Sequence, residues 1–471
     1  MYFLRDLRQR AQRHLPQLPW GPCPPAATQS QQGRRSYCRR GLAGALDCGG
    51  NASAGSVAPR TAPAARSHSA TTPRRNVLQN DPIAIVGAAR TPMGGFQGDF
   101  ATLAASDLGG VAIKAAVERA GIKPAEIEEL IFGNCLMAGQ GQAPARQASI
   151  KAGLPLSTNC TTLSKMCGSA MKAAMLAHDA IIAGSADIMV AGGMESMSNA
   201  PYLLPKARSG MRMGHGSVSD HMFLDGLEDA YDKGKLMGVF AEQCADKFQF
   251  TREAQDEFAM RSLSRALAAN NDGSFGWEIA PVTVAGRKGE LLIDKDEQPG
   301  KANPEKIPGL KPAFRKDGTV TAANSSSISD GAAALVLMRR SLAEKKGLAP
   351  LAIILDHATH AQEPGWFTTA PVGAMKKLYA KLGWTPKDVD LYEINEAFAV
   401  VTMAAMKEFD LPAEKVNIHG GACALGHPIG ASGARIVVTL MGALRKLGKK
   451  RGMASLCIGG GEATALAIEL A

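Results

Sequence analysis

From about residue 81 onward, short apolar runs alternate with helical stretches. Ile83-Ala84-Ile85-Val86 reads as a buried strand, and the first clear helix runs from Ser106, a suitable N-cap, to Gly121, a suitable stop. A polar link, Lys123 to Glu129, leads into the strand Leu130-Ile131-Phe132, which ends at Gly133-Asn134. The order repeats later. A helix following Val372 ends near Leu382-Gly383, a link runs from Thr385 to Asp390, and the strand from Leu391 ends at Asn395. Val111 to Asn134 and Val372 to Asn395 both span 23 positions. A second echo follows. The helix from Met171 to Gly184, apolar nearly all round, leads to Asp187 and then Ile188 to Glu195. The helix from Ala431 to Leu447 leads to Ala454 through Glu462. Two matches in one order indicate a duplicated α/β unit. Alternating apolar strands and helices predict mostly parallel sheets covered on both faces, with the two central helices meeting in the middle.

The predicted organisation is a first half at 81–198, an inserted loop domain at 199–321, a return to the first half at 322–348, and a second half at 349–471. The insertion is irregular and carries one strong helix after Thr251, whose hydroxyl can cap it. Loops this long usually act as lids or binding surfaces. Its basic residues (Lys206, Arg208, Arg212, Lys233, Lys235, Lys301, Lys306) could meet a phosphorylated ligand, but each taken singly is better read as a solvated surface charge. The chain's net charge is +10, but residues 1–80 hold 12 Arg, no Lys and two Asp, leaving the remainder balanced. A neutral body argues against nucleic acid as a partner. No run approaches the 18 or so uncharged apolar residues of a membrane-spanning helix, so no membrane association is expected. Residues 1–80, rich in Arg, Ala, Pro, Gly and Ser, are expected to be a disordered basic extension. It reads as a transit peptide, which implies the mitochondrial matrix, or as an over-extended start ahead of a bacterial-type cytoplasmic body, the reading preferred. The six cysteines of the body are scattered and suit a reducing compartment.

Candidate chemistry gathers at strand ends and helix starts. Cys167, in Leu163-Ser164-Lys165-Met166-Cys167-Gly168-Ser169-Ala170, precedes the apolar helix. The free N–H groups of a helix's first turn predict a lowered thiol pKa and a better nucleophile; a buried structural cysteine is the alternative. The glycine-rich run from Asn417 to Gly433 fixes His427 as a possible base. No Gly-Lys-Ser/Thr follows, which disfavours a phosphate loop. His419, Cys423 and His427 at four-residue spacing raise zinc as an alternative, disfavoured because glycines oppose helical register. Cys457, followed by Gly459-Gly460-Gly461, suits a second sulfur beside backbone N–H donors. Asn395-Glu396-Ala397-Phe398 lies at a strand's C-terminal end, where ligands gather.

Together with Gly192 to Met197, Asn324, Asp330-Gly331-Ala332-Ala333 and Gly426-His427-Pro428, these stretches make the chain resemble the thiolase family, acetyl-CoA acetyltransferases in particular, from about Asp81 to the C-terminus. The resemblance implies an α/β thiolase fold, a duplicated five-layered αβαβα body with an inserted loop domain, assembled as a homotetramer or homodimer. It implies coenzyme A thioesters as substrates and no metal or redox cofactor. It makes Cys167 the acyl-accepting nucleophile, His427 its activator, and Cys457 the acid/base at the carbon alpha to the thioester. Asn395 would position a water that, with His427, stabilises the enolate; the N–H groups of Cys167 and Gly459 would form the other oxyanion hole. Leu227, Met237, Phe314, Ser326, Ala397 and Phe398 would line the acyl or pantetheine channel. The implied reaction condenses two acetyl-CoA to acetoacetyl-CoA and coenzyme A, or runs the reverse thiolysis. A broader 3-ketoacyl-CoA thiolase and a non-catalytic CoA-binding protein are the rival readings. Leu236-Met237-Gly238 stands where short-chain members commonly show His-Met-Gly, Ala170 where glycine is frequent, and Cys423 where a small apolar residue is usual.

Overall fold

The computed structural model describes residues 81–286 and 289–471; the basic leader read at 1–80 lies outside the described residues. In chain order the main elements are β1 (Ile83–Arg90), α1 (Ala105–Ala120), β2 (Glu129–Gly133), α2 (Pro144–Lys151), β3 (Asn159–Leu163), α3 (Ser169–Ala183) and β4 (Ile188–Ser196). The long connection to β5 (Ser329–Arg339) carries α4 (Met237–Phe248) and α5 (Arg252–Asn271). Then come β6 (Ala352–Ala361), α6 (Ala370–Leu382), β7 (Leu391–Ile394), α7 (Ala399–Phe409), α8 (Ser432–Lys446), β8 (Arg451–Ile458) and β9 (Glu462–Leu470).

The hydrogen-bonding order is β7-β8-β9-β6-β1-β5-β4-β2-β3, with Gly94–Gly95 added on β5. The duplication is visible in the ladders. In the first half β2 runs parallel to β4, and β4, β5 and β1 pair antiparallel. In the second, β7 runs parallel to β8, and β8, β9 and β6 pair antiparallel. The halves join through two residue pairs, Ala84 with Ile353 and Ile85 with Ala352.

The expectation of mostly parallel sheets is therefore corrected: among the described strands only β2–β3, β2–β4 and β7–β8 are parallel. The strands read as continuous apolar runs because helices cover both faces, and that burial leaves strand direction unmarked. In the second half β8 turns straight back into β9 through Gly459-Gly460-Gly461. Gly460 and Gly461 have φ of 89° and 85°, in the region that suits residues without a side chain. The corresponding connection in the first half, between β4 and β5, contains the insertion.

Five layers follow from the packing. One face of the first-half strands buries Ala84, Val190 and Val336 against α1 and α2. The other face meets α3 and α8, where Met171, Met175, Ile436 and Leu440 pack between Leu335 of β5 and Leu456 of β8. The outer face of the second half buries Met375 and Leu378 of α6 against Ile394 and Met453. α3 and α8 approach closely enough that a Cβ on Gly433 would lie 2.4 Å from the Met171 backbone nitrogen. The insertion is anchored by Arg90 at the end of β1. Its fully buried guanidinium meets Glu278 at 2.5 Å and Asp296 at 2.7 and 2.9 Å. Thr251 caps α5, its hydroxyl accepting the Ala254 N–H at 3.2 Å. Among the described residues no helix is long and apolar enough to cross a membrane.

Candidate active site

Cys167 sits in the turn between β3 and α3. Met166 before it is held at φ 44°, a left-handed conformation uncommon for a residue with a side chain and typical of functional turns. Ser169 ties the turn: its hydroxyl accepts the Lys165 N–H at 2.8 Å and donates to the Met166 carbonyl at 2.6 Å. The backbone N–H groups of Cys167 itself and of Gly459 point at the Cys167 sulfur.

A cavity of about 380 Å³ opens at this sulfur. Cys167, His427, Cys457 and Gly459 line it, and so do Leu227, Met237, Phe314, Ser326, Ala397 and Phe398. Residues from both halves and from the insertion meet there. Ser326 is fixed by its N–H, which donates to the Ala397 carbonyl at 3.0 Å, and the Phe314 ring meets Phe398 edge-on at 6.0 Å. Asn395 is not in the cavity wall. It is buried behind His427, with Nδ2 at 3.5 Å from Nε2.

Local bonding fixes the state of His427. The Ser432 hydroxyl donates to the Pro428 carbonyl at 2.9 Å, so its lone pair accepts from His427 Nδ1 at 2.5 Å. That assignment places the proton on Nδ1 and leaves Nε2 as the basic nitrogen. Burial and the charge of Arg435 push the imidazole down to about 3, so it is neutral at physiological pH.

The thiols depart from the sequence expectation. Burial pushes Cys167 up to about 11, although the two N–H groups at its sulfur act the other way. The helix N-terminus does not by itself make a thiolate here, because desolvation of the charged sulfur outweighs the partial charges facing it. Burial, reinforced by Cys167, raises Cys457 well above the ordinary thiol range. At rest the cavity therefore holds two protonated sulfurs and a neutral imidazole. The Cys167 and Gly459 N–H groups are donors already in place for negative charge that develops beside the sulfur.

Three groups around the site were missed in the sequence. Ser432 orients His427. Arg435, fully buried on the same face of α8, donates to Asn395 Oδ1 at 3.5 Å and to Glu393 at 3.4 Å. Glu195, fully buried, accepts the N–H groups of Cys135 (3.0 Å), Leu136 (3.1 Å) and Gly430 (2.9 Å) and the Asn134 amide (2.6 Å). A signal existed for the last two, since a lone charge inside an apolar helix or strand needs a built environment. The zinc alternative does not form: Cys423 points at the Glu396 carbonyl, His419 packs on Phe275, and only His427 enters the cavity. A short helical turn, Ala422–Leu425, does occur between the glycines. A separate trio, His178, Asp179 and His357, links α3 to β6. Its buried His178 Nε2 has no partner, whereas a metal-bound imidazole normally hands its second nitrogen to an acceptor.

Two cysteines and a histidine contributed by duplicated halves define an acyl-transfer site of the thiolase kind. Family models for the thiolase N-terminal domain and the thiolase C-terminal domain match residues 83–341 and 348–470, and the chain belongs to the thiolase family, whose members are acyltransferases. Within it, the chain is 53% identical over 392 residues to acetyl-CoA acetyltransferase 2 of Arabidopsis thaliana, covering 82% of this chain and 97% of that one. It is 50% identical over 389 residues to an acetyl-CoA acetyltransferase of Cupriavidus necator, covering 82% and 99%. Among solved structures, the Ascaris suum Acat5 thiolase in complex with coenzyme A superposes with a TM-score of 0.79 at 43% identity, covering 83% of this chain and 100% of that one. The Bacillus anthracis acetyl-CoA acetyltransferase does so with a TM-score of 0.81 at 42% identity, covering 83% and 99%.

Proposed function

We propose that the protein is an acetyl-CoA C-acetyltransferase that condenses two acetyl-CoA to acetoacetyl-CoA, or cleaves acetoacetyl-CoA with coenzyme A, through an acetyl-Cys167 intermediate. The observation that carries this reading is the convergence of Cys167, His427 and Cys457 on one apolar cavity. In the first half-reaction His427 Nε2 takes the Cys167 proton as sulfur attacks the thioester carbonyl. The N–H groups of Cys167 and Gly459 receive the developing oxyanion, and the departing coenzyme A sulfur takes the Cys457 proton. In the second, the Cys457 thiolate removes a proton from the methyl group of another acetyl-CoA. His427, now carrying a proton on Nε2, and Asn395, through a water, stabilise the enolate oxygen. The carbanion attacks acetyl-Cys167, and collapse returns the sulfur to Cys167, which recovers its proton from His427. Every proton shuttles between these three side chains and the substrates, so the reading requires no metal or redox cofactor. Turnover is expected to survive dialysis against EDTA; a loss restored by added metal would contradict this.

A broader 3-ketoacyl-CoA thiolase is the second reading, favoured by one feature: Leu236, Phe223 and Phe367 add apolar wall to the cavity beyond what an acetyl group fills. Relative kcat/KM on acetoacetyl-CoA and 3-ketooctanoyl-CoA separates the two. The first reading expects the shorter substrate to win, and a clear preference for the longer one would replace it. Assembly as a homotetramer or homodimer belongs to the same proposal. Tyr202, Met211, Met213 and Val218, exposed on one segment of the insertion, support it. Light scattering giving a monomer mass would count against it.

A further inference from the structure

The face of α8 that enters the site carries Ser432 and Arg435, three positions apart and so adjacent on one side of the helix. Ser432 holds the His427 ring, as described. Arg435 reaches the other polar group of the pair. Its Nη1 lies 3.4 Å from Glu393 Oε2 and its Nη2 lies 3.5 Å from Asn395 Oδ1, Glu393 and Asn395 being two residues apart at the end of β7. The Asn395 oxygen is not exchangeable with its NH2 group in this arrangement. Were the Asn395 amide turned over, its NH2 would face a guanidinium, which has donors only, and its oxygen would face His427 Nε2, which at rest has only a lone pair. The guanidinium thus selects the amide orientation in which Nδ2 points at Nε2.

We infer that Arg435 is a positioning residue for acyl transfer: bridging Glu393 and Asn395, it fixes the Asn395 amide with its NH2 group toward the catalytic imidazole. This rests on the roles given above to His427 and Asn395. The charge has a second consequence in the same direction. His427 shares its surroundings with Cys167 from the turn before α3, Cys457 from β8 and Arg435 from α8, and Arg435 is the cation among them. Arg435 is itself faced by Glu393 and Glu396 near β7, by Glu278 of the insertion and by Arg90 at the end of β1. A buried cation beside the imidazole disfavours imidazolium, so at rest Nε2 keeps the lone pair that faces the Asn395 NH2 group.

The test is steady-state thiolysis of acetoacetyl-CoA across pH by Arg435→Gln, Arg435→Lys and Asn395→Ala, singly and as the Arg435→Gln/Asn395→Ala pair. Circular dichroism and coenzyme A binding serve as folding controls. Arg435→Gln is expected to lower kcat by about 10- to 100-fold with KM changed little, a smaller loss than removing an oxyanion donor outright. Its acid limb in kcat/KM is expected to move up in pH, toward the ordinary imidazole range. Arg435→Lys keeps the charge and loses the planar fork. Its acid limb should therefore stay where it is in the parent while kcat falls by less. The double variant should be no worse than Asn395→Ala alone within a few-fold, because Arg435 acts through Asn395. A merely structural arginine would lower thermal stability without moving the acid limb, and its effect would multiply with that of Asn395→Ala; either result overturns the inference. Should Arg435→Gln fail to fold, a parent-like kcat in Arg435→Lys overturns it equally. A fully active His427→Ala would instead overturn the reading of the site, so the two failures are distinguishable.

Discussion

The two halves begin their central helices in nearly the same way and use them differently. In the first half Cys167-Gly168-Ser169 opens α3, and in the second Gly430-Ala431-Ser432 opens α8. Each serine donates to a carbonyl of the preceding turn, Met166 in one case and Pro428 in the other. The strand-end asparagines correspond as well: Asn134 donates to Glu195, while Asn395 turns to His427. Two carboxylates then brace the halves reciprocally. Glu195, after the Gly192-Gly193 pair, holds the Gly430 N–H at the entrance of α8. Glu462, after Gly459-Gly460-Gly461, pairs with Lys165 at the entrance of α3. The two helix entrances are built alike; on the proposed reading one seats the nucleophile and the other the base that activates it.

That division can be broken at measurable points. The largest effect is expected from Cys457→Ala. Condensation should fall by at least about 1000-fold, since proton removal from carbon loses its base, while acetylation of Cys167 by acetyl-CoA persists; loss of both steps would deny the halves separate roles. Next comes the contrast between the two braces. Glu195 accepts four N–H groups in a fully buried place, so Glu195→Gln turns an NH2 toward donors and should cost roughly 1–3 kcal/mol in urea unfolding. Glu462 and Lys165 are partly exposed, and Glu462→Gln should cost less than about 1 kcal/mol. Equal costs would show that the reciprocal bracing is not as unequal as burial implies. The smallest expected effect concerns ionisation. With Cys167 pushed up to about 11, the thiolate fraction grows with every pH step below that value. Iodoacetamide labelling of the free enzyme should therefore keep rising above pH 9, and a plateau below pH 8 would show a stabilised thiolate.

Much of this was legible in the sequence. The 23-residue echo located the halves because it recorded strand ends and helix starts, which are where the site is built. Cys167, His427 and Cys457 carried their own signal, being reactive side chains beside glycines. What stayed hidden depended on neighbours distant in the chain. Strand direction left no mark in runs buried on both faces. The Cys167 shift required knowing that α3 is enclosed by both halves, so that desolvation outweighs the helix N-terminus. Arg435 and Glu195 were visible as charges in apolar segments, yet their partners, Asn395 and Gly430, lie 40 and 235 positions away.

The central claim is that the sulfur at the entrance of α3, and not the one at the end of β8, carries the acyl group. Incubation with acetyl-CoA followed by peptide mass spectrometry tests it most directly. One acetyl group is expected on Cys167, retained in Cys457→Ala and absent in Cys167→Ser; acetylation of Cys457, or an acetylated Cys167→Ser protein, would contradict the account.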